Sequence, residues 1–376
     1  MKHRERVMLA LEHKEPDRIP IDLGSVGGLI VDSVYFKVKD LLGIDTDIEP
    51  YRHGSTANYY DERVLEALDI DFRHIWFSSP DKPKSVKNPD GTATDDWGIT
   101  WSEYGSYPKI FPLQKASYED LGKYKFPSPE KDWDVEDLKK RAQHLSKNTD
   151  YAIVAKEVVS GGGILERSYY LRGVEELFSD MYLNEKFAME LIGRVAEVEM
   201  AYWDIFLDAV GPYVDIVQRA SDLGTQLSLI LSPEHYRKFL KPFEKKIFDF
   251  IKSKAPKAKI WFHSCGAVSE IIEDFIDIGV DILNPVQPLA AGMDSFELKK
   301  RFGKRISFHG GIDLQKAMIG SIDDVREEVE KRIRAFAVGG GYILASSNHI
   351  QDDTPPENVI FLFEHAKEFG RYPIKQ

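Results

Sequence analysis

An α/β chain closing into a (β/α)8 TIM barrel, with an N-terminal β-hairpin insertion, is the fold this sequence predicts. Three observations carry it: eight short apolar runs along 376 residues, amphipathic helical stretches between them from the third run onward, and a polar or charged side chain at the C-terminal end of each run. An open doubly wound sheet would instead collect its ligand groups in one crevice at a switch point.

The first run, RIPIDLG (18–24), offers Asp22, and the second, DIDFRHIWF (69–77), offers Arg73 and His74. Next come YAIVAKEV (151–158) with Glu157, and DIVQRAS (215–221) with Gln218 and Arg219 and, just beyond, Asp222. The fifth run, KIWFHSCG (259–266), ends in His263 and Cys265, and the sixth, DILNPVQ (281–287), in Asn284 and Gln287. RISFHGG (305–311) carries His309 and leads to Asp313, while GYILASSN (341–348) ends in Asn348 and leads to His349. All eight are short and bounded by turn signals or helical patterns, as buried parallel strands are. The intervening stretches at 184–210, 233–253, 268–279, 321–337 and 356–369 have helical periodicity. Residues 80–114 place an Asp-Gly turn between alternating stretches, which reads as a hairpin inserted into one barrel domain spanning 1–376.

Hydrophobic residues at 43% and charged residues at 30% fit a globular chain with a sizeable core. The net charge of −12, with 62 acidic against 50 basic residues and no long basic run, supplies no cationic face for phosphate backbones, so nucleic acid is excluded as a partner. The N-terminus has no apolar signal-peptide core, and no run of about 18 apolar residues occurs, so no membrane association and a cytoplasmic location are expected. A single cysteine cannot form an intramolecular disulfide and agrees with a reducing compartment.

That cysteine stands two residues after a histidine. On a strand, positions i and i+2 face the same side, so His263 and Cys265 both point into the barrel mouth, with Gly266 relieving the backbone as it leaves the strand. Imidazole and thiolate are usual zinc ligands, so the two can share one metal. The alternative is a small buried hydrophobe beside a hydrogen-bonded core histidine, and spacing alone leaves both open.

The stretches FHSCGAVSEIIEDFIDIGVDILNPVQ, GKRISFHGGID, GGGYILASSNHIQDDTPPENV and KEFGRYPI are similar, in order and spacing, to the uroporphyrinogen decarboxylase superfamily. RERVMLALEHKEPDRIPID and DDWGITW resemble its corrinoid-dependent methyltransferase branch. The resemblance implies a barrel with a deep mouth, and a zinc ion held by a His-x-Cys pair plus a second cysteine shortly before the last helix. His263 and Cys265 match the pair, but no second cysteine exists, and its place falls in ASSNHI near Asn348. His349 is then the expected third ligand, with Asp313 or Glu157 as carboxylate alternatives. A His/Cys/His set leaves Zn²⁺ with about one positive charge, which favours polarising the oxygen of a methyl ether.

True decarboxylases of the superfamily hold substrate carboxylates with arginines just after the R-x-P turn. This chain has none between Arg18 and Arg52, which demotes decarboxylation. The reading is therefore zinc-assisted methyl transfer between a small-molecule methyl donor and a corrinoid. Since the D-x-H-x-x-G pattern of a cobalamin module is absent, the corrinoid must be carried by a partner protein. The alternatives are a metal-free tetrapyrrole decarboxylase-like lyase and a non-catalytic tetrapyrrole-binding protein. Candidate catalytic residues are Glu157, Asp222 and Asp313, with Asp222 matching an acidic barrel position of the superfamily. Candidate substrate-binding residues are Asn284, Gln287, Arg219 and His309, and candidate metal ligands are His263, Cys265 and His349.

Overall fold

The structure is a computed structural model that describes residues 1–52, 55–77, 85–102, 107–129, 135–158 and 162–375. Its strands are β1 (Phe72–Ile75), β2 (Ser85–Lys87), β3 (Ala93–Asp95), β4 (Thr100–Trp101), β5 (Pro108–Ile110), β6 (Ala152–Ala155), β7 (Ile216–Ala220), β8 (Lys259–His263), β9 (Ile282–Val286), β10 (Ser307–Ile312) and β11 (Tyr342–Ser346). Seven of them form a parallel sheet in the order β1-β6-β7-β8-β9-β10-β11, matching the second to eighth apolar runs.

The first run is not a ladder strand, yet it fills the eighth place. Ile21 bridges Leu344 of β11 in parallel, the Asp22 amide donates to the Leu344 carbonyl at 3.0 Å, and the Asp71 amide, one residue before β1, donates to the Ile21 carbonyl at 3.1 Å. Pro20 has no N–H to give, which is why the run bridges both edges without extending a ladder. Helices Glu185–Val210, Lys241–Lys254, Ile272–Asp277, Ile322–Phe336 and Pro356–Phe369 cover the outside.

Strand alternation divides the core. Phe72, Ala152, Val154, Ile216, Trp261, Ile282 and Ile343 point inward and pack together with Val7 and Leu11 of the helix His3–Leu11. Their neighbours Ile153, Val217, Ile260, Phe262, Leu283, Phe308 and Leu344 point outward into the larger cluster under the helices. Each buried side chain of this kind contributes about 1.5–3 kcal/mol relative to an exposed one.

The insertion is more than a hairpin: β2 to β5 form a four-stranded antiparallel sheet. The expected Asp-Gly turn joins β2 to β3. A second turn is built by Asp95, whose carboxylate accepts from the amides of Trp97 at 3.0 Å and Ile99 at 2.9 Å. Residues 80–84 and 103–106 of that expected segment lie outside the described residues. No helix among the described residues is long and apolar enough to cross a membrane.

Candidate metal centre at the barrel mouth

His263 is the last residue of β8, and its ring points inward at 5% exposure. Cys265 follows on the same side, where Gly266 leaves the strand at φ 83°, a left-handed conformation that glycine adopts without cost. A side chain there would also meet the Thr225 carbonyl and Gly224. Asp222, two residues beyond β7, completes a group whose ligand atoms all lie within 4.8 Å of one another.

The His263 Nε2 stands 3.5 Å from the Cys265 Sγ and 3.6 Å from an Asp222 carboxylate oxygen. Zinc bonds of about 2.0–2.3 Å in a tetrahedron place neighbouring ligand atoms roughly 3.4–3.6 Å apart, so both separations are those of tetrahedral edges. The donor set of imidazole, thiolate and carboxylate is one that zinc takes.

The imidazole is oriented for this role. Its Nδ1 meets the Asn284 Oδ1 at 2.6 Å, which leaves the Nε2 lone pair for a cation. The same Asp222 oxygen accepts from the Cys265 amide at 2.9 Å, and the Asp222 amide donates to Glu166. Glu166 also accepts from the Ser221 hydroxyl at 3.0 Å and the Gly163 amide at 3.1 Å, so it anchors the turn that presents Asp222. Burial, and next the Asp222 charge, push the Glu166 carboxyl up to about 7. Burial first, then Asp222, raise the Cys265 thiol well above its ordinary range, so a metal must displace its proton.

His349 does not join this group. Its Nδ1 accepts from the Leu29 amide at 3.1 Å, which puts the ring proton on Nε2 and leaves no free lone pair for a metal. The SSNHI segment reaches the cysteine through Asn348 instead, whose amide nitrogen lies 3.8 Å from the Cys265 Sγ. Arg219 is also not at the mouth: as the outward residue between Gln218 and Ala220 it points into the helical shell. There it bonds Glu199 at 2.6 Å and lies 3.6 Å from Glu244.

Asn284 and His309 are buried inside the barrel, at 1% and 0% exposure, and bond each other at 2.7 Å rather than lining an open surface. Gln287 is fixed between the Gly266 amide, at 2.8 Å, and the Ser347 carbonyl, at 3.2 Å. It lines a cleft of about 410 Å³ with Asp313, Asn348 and His349, beside the candidate metal ligands. Both Asp313 oxygens are taken by amides of its own loop, Gln315 at 2.8 Å and Ala317 at 3.4 Å, so it shapes that loop. Glu157 lies apart from the metal group, with one buried carboxylate oxygen lacking a hydrogen-bond partner among the described residues.

Sequence reasoning missed the segment 24–29, which passes over His263. A side chain at Gly27 would come 3.0 Å from the His263 ring, and this residue sits at φ 69°. The Lys156 Nζ holds the Gly24 carbonyl at 2.8 Å, and the Gln218 Oε1 accepts from the Val26 amide at 3.2 Å. Burial lowers the Lys156 ammonium to about 8. Strand alternation was the available signal for Gln218, since it and Arg219 cannot both face inward.

These features define the chain as a (β/α)8-type barrel protein with a candidate His-Cys-Asp metal centre at the C-terminal ends of its strands. Residues 100–369, well over half the chain, match the family model described as Uroporphyrinogen decarboxylase (URO-D), and the chain belongs to that family. A uroporphyrinogen decarboxylase of Synechocystis is 27% identical over 187 residues, covering 48% of this chain and 51% of the relative. One of Prochlorococcus marinus (strain MIT 9515) is 30% identical over 172 residues, covering 44% and 47%. The chain thus spans about half the length of the curated relatives it matches. Among solved structures, a methyltransferase from Methanosarcina mazei has a similar fold, with a TM-score of 0.64 at 17% identity over 98% of this chain and 99% of that one.

Proposed function

We propose that the protein is a zinc-assisted methyltransferase moving a methyl group between a small donor, a methyl ether or similar compound, and a corrinoid carried by a partner protein. The observation that carries this reading is the pair of tetrahedral-edge distances from the His263 Nε2 to Cys265 and Asp222. His263, Cys265 and Asp222 would hold the metal, which supplies a Lewis acid for the oxygen or other atom bearing the methyl group.

With Asp222 in place of His349 the ligands neutralise Zn²⁺, so the excess positive charge expected from a His/Cys/His set is removed. A carboxylate is nevertheless a harder ligand than a second thiolate and leaves the metal the stronger Lewis acid of the two neutral sites, which keeps an oxygen-bound methyl group the favoured donor. The cleft bounded by Gln287, Asn348 and His349 would receive the donor next to the metal.

Decarboxylation of a polycarboxylate tetrapyrrole has less support. Lys156, one residue beyond β6, donates to the Gly24 carbonyl, Arg73 lies over the Tyr151 ring and Arg219 is paired with Glu199, so these three cations are already engaged. The test is to load the purified protein with zinc, add cob(I)alamin and a panel of methoxylated and other methyl donors, and follow conversion of Co(I) to methyl-Co(III) by absorbance. Donor-dependent conversion that Cys265→Ala abolishes is the expected result. Absence of zinc binding, or metal-independent decarboxylation of uroporphyrinogen, would overturn it.

A further inference from the structure

Behind the metal group lies a buried chain of hydrogen bonds that the proposed reaction does not itself use. The His263 Nδ1 meets the Asn284 Oδ1 at 2.6 Å, and the Asn284 Nδ2 meets the His309 Nδ1 at 2.7 Å. The His309 Nε2 meets one Asp22 oxygen at 3.1 Å, and the His74 Nε2 meets the other at 3.0 Å. Asp22, His74 and His309 have fully buried side chains. Trp261 closes the chain from below, its ring centroid 4.0 Å from that of His309.

The chain has only one self-consistent direction. Burial, as the largest cause, holds His74 and His309 below the usual histidine range, so each carries a single ring proton. An ionised Asp22 only accepts, which forces the His309 proton onto Nε2 and leaves its Nδ1 as an acceptor. Asn284 must then aim its NH2 at His309 and its oxygen at His263, and that oxygen requires the His263 proton on Nδ1. Reversing the amide would set the His309 Nε2 lone pair against an Asp22 carboxylate oxygen at 3.1 Å.

We propose that Asp22 is a positioning residue that selects the metal-competent tautomer of His263, acting through His309 and Asn284. The inference rests on the reading of His263 as a metal ligand, but its first test does not need the metal. In metal-free protein labelled with ¹⁵N-histidine, ring nitrogen shifts should report His263 as the Nδ1–H form. Asp22→Asn can go on accepting from the His74 Nε2–H only by turning its NH2 toward His309, a donor in place of an acceptor, because the opposite orientation would move the His74 proton to Nδ1, which is buried without a hydrogen-bond partner among the described residues. The cascade then runs backwards: His309 becomes Nδ1–H, Asn284 turns over, and His263 becomes Nε2–H, with its metal-binding lone pair lost.

The expected results for D22N are that tautomer switch and a zinc Kd about 10–100-fold weaker, the loss typical of removing an outer partner of a ligating histidine. Adding Asn284→Asp should reverse both. A carboxylate at position 284 accepts from both histidines and restores Nδ1–H at His263, while the His309 Nε2 accepts from the carboxamide introduced at position 22. Rescue by the D22N/N284D pair also separates tautomer control from simple loss of folding. Wild-type His263 in the Nε2–H form, a D22N protein with an unchanged tautomer, or a double variant that stays in the Nε2–H form would overturn the proposal. A tautomer that switches as expected in a protein that never binds zinc would refute the metalloenzyme reading alone.

Discussion

Two buried aspartates adjoin Ile21, Asp71 by accepting from its amide and Asp22 as the next residue along the chain, and they do different work. Asp71, at the N-terminal end of the barrel, accepts from the His3 ring at 2.8 Å, from Arg6 at 2.6 Å, from Arg18 at 2.8 and 3.3 Å and from the Ile21 amide at 2.8 Å. Asp22, one residue after Ile21, accepts from two neutral histidines, and the network continues to the mouth. At the first end, charge is matched by cations and the network closes on itself. At the second, the His74 Nδ1, the Gln218 Nε2 and the Ser25 Oγ are buried with no hydrogen-bond partner among the described residues. Burial of a carboxylate is therefore not the informative fact. A network whose donors and acceptors all close is scaffolding, whereas one ending in spare lone pairs beside a metal-shaped group has chemistry left to perform.

Substitution separates the two ends most sharply at Asp71. Asp71→Ala removes the buried carboxylate shared by Arg6 and Arg18, which keep only their partly exposed partners Asp17 and Asp69, and should cost about 1–3 kcal/mol in urea denaturation while the protein that remains folded binds zinc normally. If zinc affinity fell with stability, the two ends would be one coupled system and the contrast would fail. Cys265→Ala should do the reverse. It removes a ligand atom from a partly buried position at the mouth, so zinc Kd by competition with a chelator should weaken by more than about 100-fold, beyond the loss of an outer partner. The melting temperature should stay within a few degrees, as for substitutions away from core packing.

How much of this could be read beforehand follows from which forces are local. Strand order, the outer helices and the His-x-Cys pair were legible because alternation and helical periodicity are written along the chain. Arg219 was misassigned although the same alternation speaks against it: with Gln218 facing inward, Arg219 has to face the helices. His349 was preferred as third ligand on intrinsic zinc affinity, with Asp313 or Glu157 as the carboxylate alternatives, while Asp222 was read as a catalytic residue. The deciding fact, that the Leu29 amide already occupies the His349 Nδ1, depends on a loop some 320 positions earlier in the chain. The bridging role of residues 20–22 was equally hidden, because a missing N–H shows where a ladder cannot run but not which carbonyls are used instead.

The pH dependence of metal binding sharpens the contrast further. Because burial and then Asp222 hold the Cys265 thiol protonated, binding must release a proton. Apparent zinc affinity should therefore rise about tenfold per unit over roughly pH 7 to 9. A flat profile would mean that the thiol is not a ligand.

The smallest effect on the metal is expected at His349, where sequence alone favoured a large one. Burial, helped by the Arg52 and Lys156 charges, lowers this imidazole from the usual 6.5 to about 4. It is neutral at pH 7, as an acceptor for the Leu29 amide must be. His349→Ala should leave zinc Kd within about threefold, because no ligand and no outer partner of a ligand is removed. It should instead cost about 1–3 kcal/mol of stability, the usual consequence of leaving the buried Leu29 amide without an acceptor. A histidine whose folded pKa is depressed contributes stability that is complete above the unfolded value and lost as pH falls through the folded one. The gap between wild type and H349A in urea denaturation should therefore narrow between about pH 6.5 and 4. A variant that loses zinc while keeping its stability would return His349 to the metal and remove Asp222 from it.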